Sequence, residues 1–230
     1  TIHPKTGRFK IELTLNEPLP GTIAHYDLCY RFVQQGDAIA YALDGAKETT
    51  VSSSSGGLGV MTHVPLQGKP AGPLVVRPMG RTDLCGVVLE TDPDKQPGVV
   101  VDTLAINGAR YGTMLAWDEA AWVTEVERRA PDLVILELGT NEAGDGTPAF
   151  NKVSGQVGEL LGRVRKAGKN VDCVVVSSTD RADAETRTTK MRATLKEAAK
   201  REGCFWFDAW ELLGGEGAMA KLREEPEPRV

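Results

Sequence analysis

The sequence predicts an α/β fold, a parallel sheet in three layers, preceded by an antiparallel, jelly-roll-like β-sandwich. Three observations lead there. Residues 1 to about 95 alternate apolar and polar with the two-residue period of half-buried strands and contain no credible helix. A Pro, Gly and charge cluster, Thr91-Asp-Pro-Asp-Lys-Gln-Pro-Gly98, then interrupts the chain in the manner of an interdomain linker. Beyond it, apolar runs of strand length alternate with runs of helical period, the pattern of a parallel sheet with crossover helices. The expected domains are 1–95, a carbohydrate-binding-like sandwich module, and 96–230, an α/β domain.

In the first half the candidate strands are Arg8 to Leu15, Ala24 to Val33, Ala38 to Leu43, Glu48 to Ser52, Gly59 to Pro65, Leu74 to Met79 and Leu84 to Glu90. Gly36-Asp37 and Asp44-Gly45 punctuate them as hairpin turns. Seven short strands at this spacing read as an antiparallel sandwich. In the second half Val99 to Ile106 reads as a buried strand, followed by a helix from Met114 to Arg129 that ends before Pro131. Leu133 to Leu138 is a continuous apolar run, as expected of a parallel strand covered on both faces. Phe150, Val153, Val157, Leu160, Leu161 and Val164 mark one face of the next helix. Cys173 to Val176 is a further strand. Met191, Leu195, Ala198 and Ala199 line a helix stopped by Gly203, and Cys204 to Phe207 closes a fourth strand.

Length and composition agree. At roughly 150 residues per domain, 230 residues make about one and a half domains. With 41% hydrophobic and 26% charged residues the chain can fill an ordinary core, and no run approaches the roughly 18 apolar residues of a membrane span. Lys+Arg 27 against Asp+Glu 32 leaves a net charge of −5 with no basic block to track a phosphate backbone, which argues against a nucleic-acid partner. Cys29, Cys85, Cys173 and Cys204 each lie in an apolar run and read as buried free thiols. Pairing of Cys29 with Cys85, or of Cys173 with Cys204, stays open, since it requires their strands to be neighbours.

Ligands of an open α/β sheet meet the loops at the carboxyl ends of its strands. Three such loops are Asn107-Gly-Ala-Arg-Tyr-Gly112, Gly139-Thr-Asn-Glu-Ala-Gly-Asp-Gly146 and Ser177-Ser-Thr-Asp180. Leu-Gly-Thr-Asn-Glu142 at the end of a buried strand resembles the Gly-x-Asn-Asp/Glu block of the SGNH (GDSL-type) hydrolases, serine esterases with a flavodoxin-like α/β fold. Asn107-Gly108-Ala-Arg, one strand earlier, matches that family's glycine block. The segment Cys204-Phe-Trp-Phe-Asp-Ala-Trp with the following Leu-Leu-Gly-Gly resembles the stretch that precedes its Asp-x-x-His block. The resemblance runs from about residue 97 to the end.

Under the resemblance, Gly108 and Asn141 are the catalytic residues to be found here, as oxyanion-hole donors. The chemistry suits them. Ester hydrolysis through a serine builds negative charge on the carbonyl oxygen, and prearranged donors stabilise it by several kcal/mol in total. A backbone N–H approaches substrate best where no side chain intervenes, and a carboxamide is a neutral donor. Arg110, Thr140 and Glu142 are the candidate substrate contacts. Glu142 also reads as a brace of its loop, and Arg110 and Asp180 also read as solvated surface residues.

The family's Gly-Asp-Ser block is missing. Gly36-Asp37-Ala38 lacks the hydroxyl and fits a hairpin turn, and Ser52 to Ser55 reads as a loop. His3, His25 and His63 all fall in the first half, none preceded by Asp three residues earlier, and none is assigned as the base. The chain therefore reads as an interior piece of a larger hydrolase, with the serine and the Asp/His pair outside it and the sandwich inserted between the serine and glycine blocks. The resemblance implies a serine esterase that removes O-acetyl groups from a polysaccharide or peptidoglycan, without cofactor or metal and outside the cytoplasm. This chain alone would be inactive.

Two other classes compete. One is a sugar-binding protein with a degenerate hydrolase domain, for which Tyr26, Tyr30 and Tyr41 would be the exposed rings, although core packing suits at least two of them. The other is a phosphate binder at Gly139 to Gly146. That loop lacks a Gly-x-Gly-x-x-Gly spacing and a Lys-Ser/Thr ending, and its two carboxylates repel phosphate.

Overall fold

The computed structural model describes residues 10–14, 23–66, 73–92, 94–147, 149–168, 170–181 and 183–224, with the side chains of 23–25 left aside. His3, the side chain of His25 and the ends of the Arg8 to Leu15 strand lie outside the described residues. The chain forms two compact units, Thr1–Asp102 and Thr103–Val230.

The first unit holds β1 (Ile11–Leu13), β2 (Ile23–Arg31), β3 (Ala38–Leu43), β4 (Thr49–Ser52), β5 (Met61–Pro65), β6 (Leu74–Met79) and β7 (Asp83–Thr91). They make a four-stranded sheet in the order β1-β6-β3-β4 and a three-stranded sheet in the order β5-β2-β7, with every pair antiparallel. Leu28, Tyr30 and Phe32 from one sheet share a core with Ile39, Leu43, Leu74 and Val76 from the other. Tyr30 is buried, and Tyr26 and Tyr41 pack against the same core, so the ring-packing role holds for these tyrosines.

Local chemistry explains the turns. Asp44 and Gly45 both take left-handed backbone (φ 51° and 71°), as a tight hairpin requires. Gly36-Asp37-Ala38 is a turn with a fully buried carboxylate: Asp37 Oδ2 accepts from the N–H groups of Val33 and Gln34, and Oδ1 from that of Arg81. Those three backbone donors satisfy the buried charge that this tripeptide brings.

The second unit contains α1 (Tyr111–Leu115), α2 (Glu119–Arg129), β8 (Leu133–Leu136), α3 (Thr140–Ala143), α4 (Phe150–Ala167), β9 (Asp172–Val176), α5 (Glu185–Glu202), β10 (Phe205–Phe207), α6 (Ala209–Leu212) and α7 (Ala218–Glu224). β8, β9 and β10 form a parallel sheet in the order β10-β9-β8. Leu136 and Val175 on one face pack with Val157, Leu160 and Leu161 of α4 and Met191 and Leu195 of α5. Gly203 takes φ +71° and ends α5, as its position predicts.

Four expectations change. Val99 to Ile106 forms no strand: Val99 is 89% exposed and Val101 80%, because a strand needs a neighbour to satisfy its N–H and C=O groups and none lies beside it among the described residues. The helix from Met114 to Arg129 is broken at Ala116 to Asp118. There the Asp118 carboxylate accepts from the N–H of Ala121 and starts α2, while buried Arg163 donates to the carbonyls of Leu115 and Trp117. The parallel sheet is covered on one face only, leaving Leu133 and Ile135 of β8 and Phe205 and Phe207 of β10 between 48% and 71% exposed. Lastly, the cysteines are not free. Cys29 pairs with Cys85, across a bulge between β2 and β7, and Cys173 in β9 with Cys204, next to β10. Strand adjacency brings their Cα atoms to 5.1 and 4.8 Å, within disulfide reach.

Candidate active site

Two loops of the second unit, 107–111 and 139–145, are joined side to side. Gly108 has φ +78°, where an L side chain is strained, and the space that a Cβ would occupy holds no atom within 4 Å. The backbone there is open to an approaching molecule. Gly139 also has a left-handed φ, of +115°, for a different reason: a Cβ would stand 2.8 Å from Leu195 Cδ1 and 3.3 Å from Met191 Cγ. Absence of a side chain lets the loop press onto α5 and turn straight into α3.

Asn141, in α3, reaches across to the first loop, and its Nδ2 donates to the carbonyl of Ala109 at 2.9 Å. A carboxamide nitrogen carries two hydrogens. The second has no acceptor among the described residues. Glu142 is 6% exposed, and its Oε1 accepts from the N–H of Tyr111 at 2.8 Å. Its position is that of the loop brace. Burial raises the Tyr111 phenol above its ordinary range, with the Glu142 charge adding to the effect, so the ring stays neutral.

Arg110 joins the same loops from the other side. Its Nη2 donates to the Asn141 carbonyl at 3.1 Å and to Asp145 Oδ1 at 2.7 Å, and its Nη1 to the Gly108 carbonyl at 3.4 Å. The backbone N–H of Arg110 donates to Thr113 Oγ1 at 3.1 Å. Thr140, half-buried at the start of α3, takes no part in these bonds. A cleft of about 400 Å³ opens beside them, lined in part by Arg110, Thr113, Glu142, Asp145, Lys152 and Gln156.

The loop after β9 is more interior than its polarity suggests. Ser177 Oγ accepts from the N–H of Trp210 at 2.8 Å. Asp180 is 5% exposed, which corrects the reading of it as a solvated surface residue: the carboxyl end of a covered strand carries it inward. Ser178 Oγ and Asp180 Oδ2 are buried without a partner among the described residues. Composition hides this, since Ser-Ser-Thr-Asp looks like an exposed loop. After β10, Asp208 is held by Arg192, whose Nε donates to Oδ1 and Oδ2 at 2.9 Å each. That guanidinium keeps the carboxyl below the usual carboxylate range.

No serine paired with a histidine joins these loops among the described residues, and His63 lies on β5 of the first unit. Among the described residues no group of three or more His, Cys, Asp or Glu is placed to hold a metal ion, and no helix is long and apolar enough to cross a membrane.

The profile of the GDSL-like lipase/acylhydrolase family matches residues 82–225. No curated protein matches in sequence. A solved structure of a peptidoglycan O-acetylesterase aligns with a TM-score of 0.71 at 17% identity, covering 93% of this chain and 59% of its own; the likeness is one of fold. The chain thus spans 59% of the length of that relative. A family two carbohydrate esterase from Clostridium thermocellum aligns over 91% of this chain and 83% of its own at 11% identity, but with a TM-score of 0.34 it carries no argument.

Proposed function

Since the chain belongs to the GDSL-like lipase/acylhydrolase family, we propose that it is part of an SGNH-type serine esterase that removes O-acetyl groups from a polysaccharide or peptidoglycan through an acyl-enzyme. Gly108 and Asn141 are its oxyanion-hole donors, and the serine and the Asp/His pair come from sequence outside this chain. The observation that carries this reading is the bond from Asn141 Nδ2 to the Ala109 carbonyl, which seats the carboxamide against the residue after Gly108. One amide hydrogen fixes the side chain and the other remains for substrate.

In this mechanism the serine hydroxyl adds to the ester carbonyl while the histidine takes its proton. The carbonyl oxygen becomes an oxyanion, which accepts from the Gly108 N–H and the free Asn141 N–H. Both donors are neutral and held in place before the reaction, so little reorganisation opposes charge development. The tetrahedral adduct collapses, the sugar oxygen leaves with the proton from histidine, and water releases acetate by the reverse sequence of proton transfers.

The bare face of the β8-β9-β10 sheet supports an external source for the missing groups. Parallel sheets are covered on both faces. Leu133, Ile135, Phe205 and Phe207 would be buried by further segments of the same protein, and the outer edge of β8, which pairs with β9 alone among the described residues, has room for another strand. The two antiparallel sheets of the first unit share one core, which supports reading residues 1–95 as a sandwich; its role as a carbohydrate-binding-like module, with 96–230 as the incomplete hydrolase domain, follows from the family resemblance. Arg110 and Glu142 line part of the cleft, and Thr140 starts α3 two residues before Glu142. The two disulfides support an oxidising, extracytoplasmic location.

Hydrolysis of p-nitrophenyl acetate tests the proposal. The full-length protein is expected to be active and this chain alone inactive. Asn141→Ala in the full-length protein should lower turnover about 100-fold or more. Activity in this chain alone, an unaffected Asn141→Ala variant, or a full-length sequence without Gly-Asp-Ser and Asp-x-x-His blocks would overturn it.

A further inference from the structure

We infer that Arg110 is the positioning residue of this oxyanion hole: its guanidinium sets the spacing between the Gly108 and Asn141 loops, and it does not bind substrate. The inference rests on the functional reading above and goes further by assigning a residue that touches neither oxyanion nor ester. Three acceptors occupy the guanidinium: the carbonyls of Gly108 and Asn141 and the carboxylate of Asp145. The two carbonyls belong to the same two residues that supply the donors. One planar cation therefore ties together the two residues that carry the donors, through the backbone carbonyl of each.

Chemistry explains why arginine serves here. The guanidinium is rigid and always charged, and it presents five N–H groups in fixed directions, so it can span two carbonyls 33 residues apart in sequence without losing its geometry. A lysine ammonium is a point donor on a flexible stem and cannot hold both. Bonds to a charged group are also stronger than neutral ones. Asp145 supplies the counter-charge that keeps the guanidinium over the loops, in an ion pair whose partners are 41% and 49% exposed and which therefore adds little on its own.

The bond from Asn141 Nδ2 to the Ala109 carbonyl and the bond from Tyr111 N to Glu142 Oε1 make the rest of the same seam. Arg110 is its only charged donor among the described residues. Its removal leaves the other two bonds in place, so the loops stay folded but loosen. A displacement of about 1 Å can cost on the order of 100-fold in rate.

The test uses the full-length protein with p-nitrophenyl acetate and an alkylboronate that mimics the tetrahedral oxyanion. Arg110→Ala should lower kcat about 10- to 100-fold with little change in KM, and weaken the boronate by a similar factor. Arg110→Lys should recover only part of the loss. In the background of Asn141→Ala, Arg110→Ala should cost clearly less than it does alone, because only the Gly108 donor is left to misplace. Hydrogen exchange should quicken over residues 106–112 and 139–146 in Arg110→Ala while α4 and α5 keep their protection. Additive losses in the double variant, a rise in KM with kcat intact, or unchanged exchange in the two loops would overturn the inference while leaving the esterase reading standing. A wild-type full-length protein with no esterase activity would overturn that reading and this inference with it.

Discussion

The two units bury their sheets in opposite ways. In the first, two antiparallel sheets cover one another, so Leu28 and Tyr30 of one face Ile39, Leu74 and Val76 of the other, and the core is closed by its own strands. In the second, a three-stranded parallel sheet is covered by α4 and α5 on one side, while Leu133, Ile135, Phe205 and Phe207 on the other meet solvent. An antiparallel sheet tolerates one wet face because its strands alternate apolar with polar. Parallel strands are apolar on both faces and need two covers. The contrast teaches how each unit closes: the first covers its sheets with its own strands, and the second leaves one apolar face of its sheet exposed.

Removing the disulfides would stress this contrast most. Cys29–Cys85 and Cys173–Cys204 span 56 and 31 residues, and closing loops of those lengths constrains the unfolded chain by about 4 kcal/mol each. Urea unfolding of the Cys29→Ser/Cys85→Ser and Cys173→Ser/Cys204→Ser variants should show losses of that order, slightly larger in the first unit. Next in size, Leu161→Ala removes a side chain 1% exposed between α4 and the sheet and should cost about 3 kcal/mol.

A smaller effect separates electrostatics from packing. Asp208 titrates below its unfolded value because of Arg192, so this stabilisation is present above the unfolded carboxyl pKa of about 4 and is lost as pH falls through the lower, folded value. Asp208→Asn should cost about 1 kcal/mol at neutral pH and flatten the acid limb of a stability profile. Smallest of all, Ile135→Ala in this chain should stay within about 0.5 kcal/mol, since the side chain is 59% exposed. In the full-length protein it should cost about 2 kcal/mol or more if that face is covered. Equal effects in both would remove the contrast between the units.

Much of this architecture is legible in sequence, and the rest fails for identifiable reasons. The strand Ala38 to Leu43 is read to the residue, because the Gly36-Asp37 and Asp44-Gly45 turns bound an uninterrupted apolar run on both sides. The Val99 to Ile106 segment has equally strong strand composition yet forms none: composition reports a preference for β structure, and a strand also requires a neighbour. The break between α1 and α2 is hidden because Arg163, 48 residues beyond Leu115, supplies the donors that make it tolerable. Asp180 is misread as exposed, since polarity alone carries no information on depth.

At the candidate site the division is sharper. Asn141 stands out in sequence as a loop residue after a true strand, and Gly108 after a run that reads as a strand but forms none, and the order of their two loops is legible too. The chain by itself determined these chemical types, the family to which they belong, the strand and helix periods and the charge balance, since each is set by covalent sequence and local periodicity. Tertiary structure alone decided the pairing of the four cysteines, the burial of Asp37 and Asp180, the bare face of the parallel sheet and the seam from Arg110 to Gly108, Asn141 and Asp145. Each of these depends on which distant segments meet. A hydrogen bond or a disulfide acts only within a few ångströms, and separation along the chain says nothing about separation in space.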